Sequence, residues 1–257
     1  MQVERRNEIL EILRQEGKVT VTDLCERFRF SEMTIRRDLR YLDREGLLRR
    51  VHGGAISSLG RSYEPPYQLR STDSREAKQA IGRVAAGMIF DGDSIALDVG
   101  TTTLEIARAI RDKRNLTIIT ASLPIAFEIA STTSLNSDVR LILTGGIVRS
   151  GELSMIGHLA NQAYREFHVD KAFIGVGGLN LEAGLTEYNL EDALVKRPLL
   201  NSANRKIVVA DGSKFGRTTF VAIGPWSAID TVITDEIAPV DIVQALRDMG
   251  IQVIITA

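Results

Sequence analysis

Apolar residues recur along this chain in two rhythms, and the change of rhythm divides it. Over the first fifty residues the spacing is helical. From Arg5 to Gln15, Ile9, Leu10, Ile12 and Leu13 make the inner face of a first helix, closed by Gly17. A second helix is expected from Asp23 to Phe28, capped by Thr20 or Thr22, with Leu24, Cys25 and Phe28 turned inward. After a break at Arg29-Phe30, Ser31 caps a third helix on which Ile35, Leu39 and Leu42 fall at i, i+4 and i+7. Gly46 ends it. Leu47 and Leu48 follow, then Arg49, Arg50 and His52, then a Gly53-Gly54 turn.

Beyond residue 74 the rhythm becomes short apolar runs alternating with helical stretches. Strands are expected at Ser94–Asp98, Leu116–Thr120, Val139–Thr144, Ala172–Val176, Lys206–Ala210, Thr231–Thr234 and Gln252–Ile255. Helices are expected at Arg75–Ile89, after a Gly100-Thr101-Thr102-Thr103 turn through Ile110, and at Pro124–Ala130, His158–Phe167, Asn189–Asn201 and Val240–Met249. That alternation predicts a Rossmann-like, mostly parallel α/β sheet covered on both faces. Residues 57–71, with Ser, Gly and the Pro65-Pro66 pair, read as an extended connector. The expected division is 1–57 for the head, 58–73 for the linker and 74–257 for the α/β domain.

Composition sharpens the head more than the remainder. Residues 1–60 hold 12 Lys and Arg against 10 Asp and Glu, and residues 29–52 hold 7 against 4, so the excess is local. Taking these from the totals of 32 and 33 leaves 20 basic and 23 acidic residues after position 60, which argues against a second nucleic-acid surface. The single cysteine rules out a disulfide framework within the chain, and the three histidines are scattered, so no metal or other cofactor is expected. Cys25 is expected to pack in the interior. Without a signal peptide or a membrane-length apolar run, the expected location is cytoplasmic, with no membrane partner.

Two short helices, a tight turn and a basic β-turn describe a winged helix-turn-helix, whose partner is double-stranded DNA. Ser31 starts the recognition helix, and Glu32, Met33, Thr34, Arg36 and Arg37 lie nearest the base edges. Arg40, Arg49, Arg50 and the wing turn with His52 suit phosphates or the adjacent minor groove. The competing reading of this stretch is a solvated helix face, with Arg36, Arg37 and Arg40 paired to Asp38, Asp43 or Glu45.

In the α/β domain the chemistry sits where open parallel sheets bind ligands, beyond the strands' carboxyl ends. Asp98 is followed by Gly100-Thr101-Thr102-Thr103 at a helix start, an arrangement that offers free N–H groups and hydroxyls to a phosphate. Other strand ends carry Ser122, Gly145-Gly146, Gly175 and Asp211 with Lys214, while Glu187 and Lys196 add charges nearby. Taken singly, each is also an ordinary turn, cap or surface charge. Neither a G-x-x-x-x-G-K-[ST] nor a strand-following G-x-G-x-x-G pattern occurs.

With these residues in view, the chain resembles the DeoR family of bacterial transcriptional regulators. The family's head pattern, V-x-V-x-E-L, S-x-x-T-I-R-R-D-L and G-x-L-x-R-x-H-G-G-A, is met by Val19–Leu24, Ser31–Leu39 and Gly46–Ala55. Asp23 replaces the usual Glu, and Arg29-Phe30 stands where Gly-Val is common, which strains the turn if positive φ is needed there. The resemblance continues through Leu97–Thr103, Thr120–Ala126, Leu143–Gly146, Ala172–Gly178, Gly184–Thr186, Val195–Arg197 and Ala210–Gly216. It implies a C-terminal domain similar to ribose-phosphate isomerase that senses a phosphorylated sugar. It also implies a homo-oligomer, dimer or tetramer, and a non-enzymatic regulator, most simply a repressor of a carbohydrate-utilisation operon. Ala121, where relatives often carry Asn, removes an amide that would reach a sugar hydroxyl. The alternatives are a sugar-phosphate isomerase-like enzyme and a regulator whose sensor is vestigial.

Overall fold

The structure, a computed structural model, describes residues 2–56, 60–132 and 138–256, in two compact units that divide between Tyr63 and Glu64. Ser57 to Leu59 of the expected linker and the terminal Ala257 lie outside the described residues.

The first unit runs α1 (Gln2–Glu16), β1 (Lys18–Thr20), α2 (Val21–Phe28), α3 (Glu32–Arg44), β2 (Arg49–Val51) and β3 (Gly54–Ile56). Ile9, Leu13, Leu24, Ile35, Leu39 and Leu42 are buried together with Leu48, as the helical spacing requires. α2 begins two residues earlier than expected because Thr20 is the cap, its Oγ1 accepting from the Asp23 N–H at 3.1 Å. Cys25 is only half-buried, a correction to the interior position expected of it. Arg29 closes α2 in the left-handed region, at φ 56°. The turn thus needs positive φ, and Arg29 supplies it at a cost a glycine would not carry. The strands order β1-β3-β2, giving the basic turn a sheet to stand on. At Gly54 a Cβ would lie 2.0 Å from the Val19 carbonyl oxygen, so only glycine fits between these strands.

The second unit opens with α4 (Tyr67–Thr72), α5 (Arg75–Gly87), β4 (Ser94–Leu97), α6 (Thr101–Ala109), β5 (Thr117–Thr120), α7 (Leu123–Thr132) and β6 (Arg140–Leu143). It continues with β7 (Ile147–Arg149), β8 (Ser154–Ile156), α8 (His158–Glu166), β9 (Val169–Ile174), β10 (Gly178–Asn180) and β11 (Gly184–Glu187). After these come α9 (Leu190–Lys196), α10 (Leu199–Ser202), β12 (Ala203–Val209), β13 (Val221–Gly224), β14 (Thr231–Asp235), α11 (Val240–Asp248) and β15 (Gln252–Thr256). Seven strands form one sheet in the order β15-β14-β12-β9-β4-β5-β6, every neighbouring pair parallel. Alternation along the strands feeds two cores. Ile95, Leu97, Phe173, Ile207 and Ile233 face Ile81, Ala85 and Ile106 on one side, while Ala96, Ala172 and Ile174 face Tyr164, Val195 and Leu199 on the other.

Three features depart from the expected elements. The β7–β8 hairpin and the antiparallel sheet β10-β11-β13 were not foreseen, their strands being three or four residues long. The helix expected over Asn189–Asn201 is two pieces, broken at Pro198, which has no N–H to donate to the Leu194 carbonyl; the Asn161 side chain of α8 donates to it instead. Residues 67–72 of the expected linker are helical and, from Glu64 onward, belong to the second unit. Among the described residues, no helix is long and apolar enough to cross a membrane, and no cluster of His, Cys, Asp or Glu could hold a metal ion.

Candidate functional site

In the head, Ser31 caps α3, its Oγ accepting from the Thr34 N–H at 3.4 Å and lying 3.0 Å from the Thr34 hydroxyl. Burial of Ile35, Leu39 and Leu42 leaves Glu32, Met33, Arg36, Arg37 and Arg40 exposed along the opposite side, Met33 at 82 %. Arg49 and Arg50 stand on β2, and His52 with Gly53 forms the turn into β3. The Arg50 N–H is anchored on Asp43 Oδ1 at 3.1 Å.

The pairing expected of a solvated helix face is corrected in one respect. Asp38 does not meet Arg36, Arg37 or Arg40; it is fully buried and accepts from Arg5 at 2.6 Å and Arg6 at 2.8 Å. The two guanidiniums also stack on Phe30 and Tyr41, at 4.1 and 3.7 Å. Of these three arginines, Arg36 pairs with a carboxylate of its own helix, Glu32, at 2.6 Å. Sequence spacing missed the Asp38 brace because its partners lie more than thirty residues away.

In the second unit a cavity opens at the carboxyl ends of the central strands. Gly100, at φ 150°, turns the chain from β4 into α6, so the first N–H groups of α6 and the nearly buried Thr101 and Thr102 face the cavity. Thr103 is fully buried and donates to the Gly100 carbonyl at 3.0 Å, serving the turn.

Lys196 of α9 forms the floor. Its Nζ lies 2.6 Å from Glu187 Oε2, 3.0 Å from Asp98 Oδ2 and 3.0 Å from the Gly175 carbonyl. Burial alone would push its ammonium down, but Asp98 and Glu187 outweigh that and hold it charged, well above the usual lysine range. Burial pushes the Asp98 carboxyl up to about 6 against the pull of Lys196. Glu187 is held down by Lys196 despite its burial, and its Oε1 accepts the Tyr188 N–H at 2.9 Å.

The opposite wall is cationic. Lys78 reaches in from α5, its Nζ donating to the carbonyls of Arg70 and Asp73 at 2.5 Å each. Burial lowers it to about 8; Asp211 opposes the fall, while Lys214 and Arg70 deepen it by repulsion. Lys214 lines the cavity directly, and Asp211 accepts the Ser213 N–H at 3.1 Å beside it.

Over the mouth runs an ion-pair chain. Arg70 of α4 pairs with Glu64 at 3.0 Å and with Glu152, and Arg149 of β7 pairs with Glu64 at 2.8 Å and with Asp192 of α9. None of these five residues was singled out in the sequence, nor were Tyr67 and Lys78. Lys78 carried a signal, since it falls on the Ile81–Ala85 stripe where an apolar residue belongs.

Five expected site residues do not line the cavity: Asp98 and Asp211 act on it only through Lys196 and Lys214, and the other three lie elsewhere. Ser122 caps α7, its Oγ accepting from the Ile125 N–H at 3.3 Å, and Gly145-Gly146 form the turn before β7, with Gly146 against α8. Ala121 is fully buried against Tyr164, so the amide it lacks would not have faced the cavity either.

Residues 5–59 match the family model of the DeoR-like helix-turn-helix domain, and residues 73–236 that of the DeoR C terminal sensor domain. The glycerol-3-phosphate regulon repressor of Escherichia coli strain K12 is 35 % identical over 98 % of this chain and 98 % of its own length. The transcriptional repressor AccR of Agrobacterium fabrum is 36 % identical, covering 90 % of this chain and 89 % of its own. A solved D-ribose-5-phosphate isomerase in complex with phospho-erythronic acid aligns with a TM-score of 0.39 at 14 % identity, over 55 % of this chain and 54 % of that one. With a reading head and a sensor domain each matched in place, and full-length relatives that are repressors, this chain belongs to the DeoR family of DNA-binding transcriptional regulators.

Proposed function

We propose that the protein represses a carbohydrate-utilisation operon and is released from its operator by a phosphorylated sugar bound in the second unit. What supports a phosphorylated ligand is convergence: the free N–H groups at the start of α6 face Lys78, Lys214 and Arg70 across one cavity. Lys214 and Arg70 repel the Lys78 ammonium, Asp211 and Asp73 only partly offset this, and a phosphate placed there relieves that repulsion. The polar floor of Glu187 and Lys196 suits hydroxyl groups at the other end of the ligand.

What supports binding rather than turnover is that the relatives are repressors and that Glu187 and Lys196 are tied to one another. A general base needs a carboxylate free to take a proton from the substrate. Glu187 spends one oxygen on Lys196 and the other on the Tyr188 N–H, and Lys196 is held charged between two carboxylates.

The water-sized space in the cavity is about 50 Å³, room for a few waters. A sugar phosphate therefore displaces lining groups as it enters. The segment 64–73 both lines the cavity and continues the chain from the head, so it is the natural transmitter. A single head with so local a basic patch binds weakly, which favours a dimer or tetramer spanning repeated half-sites.

The test is a thermal-shift screen of the full chain against phosphorylated sugars, their unphosphorylated parents and nucleotides. A native-state ligand at a hundred times its Kd adds about 2.7 kcal/mol. Stabilisation confined to a phosphorylated sugar, and lost in Lys214→Ala and in a Thr101→Ala/Thr102→Ala double variant, is expected. Equal stabilisation by the unphosphorylated parent would remove the phosphate from the account.

A further inference from the structure

Arg36 of the recognition helix is not a free arginine. Its Nε and Nη2 both donate to Glu32 Oε1, at 3.1 and 2.6 Å, one helical turn back on the same exposed face. This grip fixes the plane of the guanidinium. It leaves Nη1 and the second hydrogen of Nη2 unused, which is the edge that forks onto guanine O6 and N7. It also leaves Glu32 Oε2 unused, an acceptor of the kind that takes a hydrogen bond from cytosine N4. A carboxylate set beside DNA phosphates weakens binding to any sequence. Its presence at the reading end of the helix therefore calls for a compensating contact.

A second observation comes from the pattern Ser31–Leu39 shares with the family, S-x-x-T-I-R-R-D-L. Positions 32 and 33 are the open ones, and in this chain both side chains are exposed at the N-terminal end of α3, the end that enters the major groove. Arg36 falls on a fixed position of that pattern and Glu32 on an open one, one turn apart on the same exposed face.

We propose that Glu32 and Arg36 act as one reader of a single G·C base pair in each half-site, with Arg36 on guanine and Glu32 on its paired cytosine. Glu32 is at once a positioning residue for the guanidinium and a filter that lowers affinity for every other sequence. The proposal rests on the DNA-binding role of the head and adds the base pair that the head selects.

The test is selection of binding sites from a random duplex pool with the full-length wild type, Glu32→Gln and Arg49→Ala, followed by titration of the winning and scrambled duplexes. Wild type should enrich a half-site with one invariant G·C pair. Glu32→Gln should relax that position while binding scrambled DNA more tightly, so that the ratio of specific to non-specific affinity falls tenfold or more. Arg49→Ala should weaken both duplexes and leave the selected base unchanged. If Glu32→Gln selects the same half-site with the same ratio, Glu32 serves only the helix and the proposal fails, while the DNA-binding role stands. If wild type enriches no sequence, that underlying role fails as well. Circular dichroism of Glu32→Gln should match wild type, since the position is exposed.

Discussion

Each unit buries one ionised side chain between two partners of opposite sign, and the signs are reversed. In the head, Asp38 sits between Arg5 and Arg6; in the second unit, Lys196 sits between Asp98 and Glu187. The head's cluster is a brace. It ties α1 to α3 behind the reading surface and leaves Arg36, Arg37, Arg40, Arg49 and Arg50 facing solvent. The other cluster is the floor of the cavity itself, where the charges are not displayed but enclosed. The same electrostatics therefore serves a convex surface that must stay accessible and a concave one that must stay organised. Removing the central ion from each tells the two roles apart.

The largest effect is expected from Lys196→Met. It leaves two carboxylates buried without a cation, and urea denaturation should show about 3–5 kcal/mol lost from the second unit. Asp38→Asn should be milder, about 1–3 kcal/mol, because the amide still accepts from one arginine and Arg6 has partial access to water. If the head's cluster is a brace, Asp38→Asn should also leave the preferred DNA sequence unaltered at temperatures where the head is folded. Arg37→Ala should do the opposite, changing stability by less than about 0.5 kcal/mol while weakening DNA binding in an anisotropy titration.

A pH series sharpens the cavity's side of the comparison. Lys78 titrates near 8 in the native state, below the usual lysine value of 10.5. Between those limits the unfolded chain holds the proton and the native chain does not, so this group makes native stability rise with pH across that window and costs most below it. A phosphate reverses the balance by raising the Lys78 pKa. Binding should then take up protons near pH 8 and weaken as pH rises further, read by calorimetry in buffers of different ionisation enthalpy. The smallest effect is expected at the α2–α3 turn. Arg29→Gly relieves a left-handed residue and should raise head stability by about 0.5 kcal/mol, the steric gain of 1–2 kcal/mol being partly offset by glycine's greater entropy when unfolded.

The head was legible in the sequence because its function is local. Ser31, Ile35, Leu39 and the exposed arginines occupy one helix, and three-and-four spacing alone sorts them into inward and outward sets. The brace was not legible, since nothing in that spacing links Asp38 to Arg5. In the second unit the sheet and the Gly100–Thr103 turn followed from the alternation, because the parallel strands carry short apolar runs such as Ile95–Leu97 and Ile118-Ile119 between turns and helices. The roof over the cavity did not. Glu64, Tyr67 and Arg70 sit in a Pro-containing stretch that reads as a connector, and their partners Glu152, Arg149 and Asp192 come from a short hairpin and a seven-residue helix far along the chain. Two sequence signals were there to be used: Lys78 on an apolar stripe, and Pro198 inside an expected helix.

If the second unit controls the head, occupancy of the cavity loosens the head's hold on DNA. The most direct test is the affinity of the full-length protein for its selected duplex, measured by anisotropy at fixed salt with and without the phosphorylated sugar that stabilises it. Kd should rise by about 5- to 150-fold, the usual range of coupling between two sites, and Lys214→Ala should abolish the rise. An unchanged Kd in the presence of saturating ligand would contradict that control.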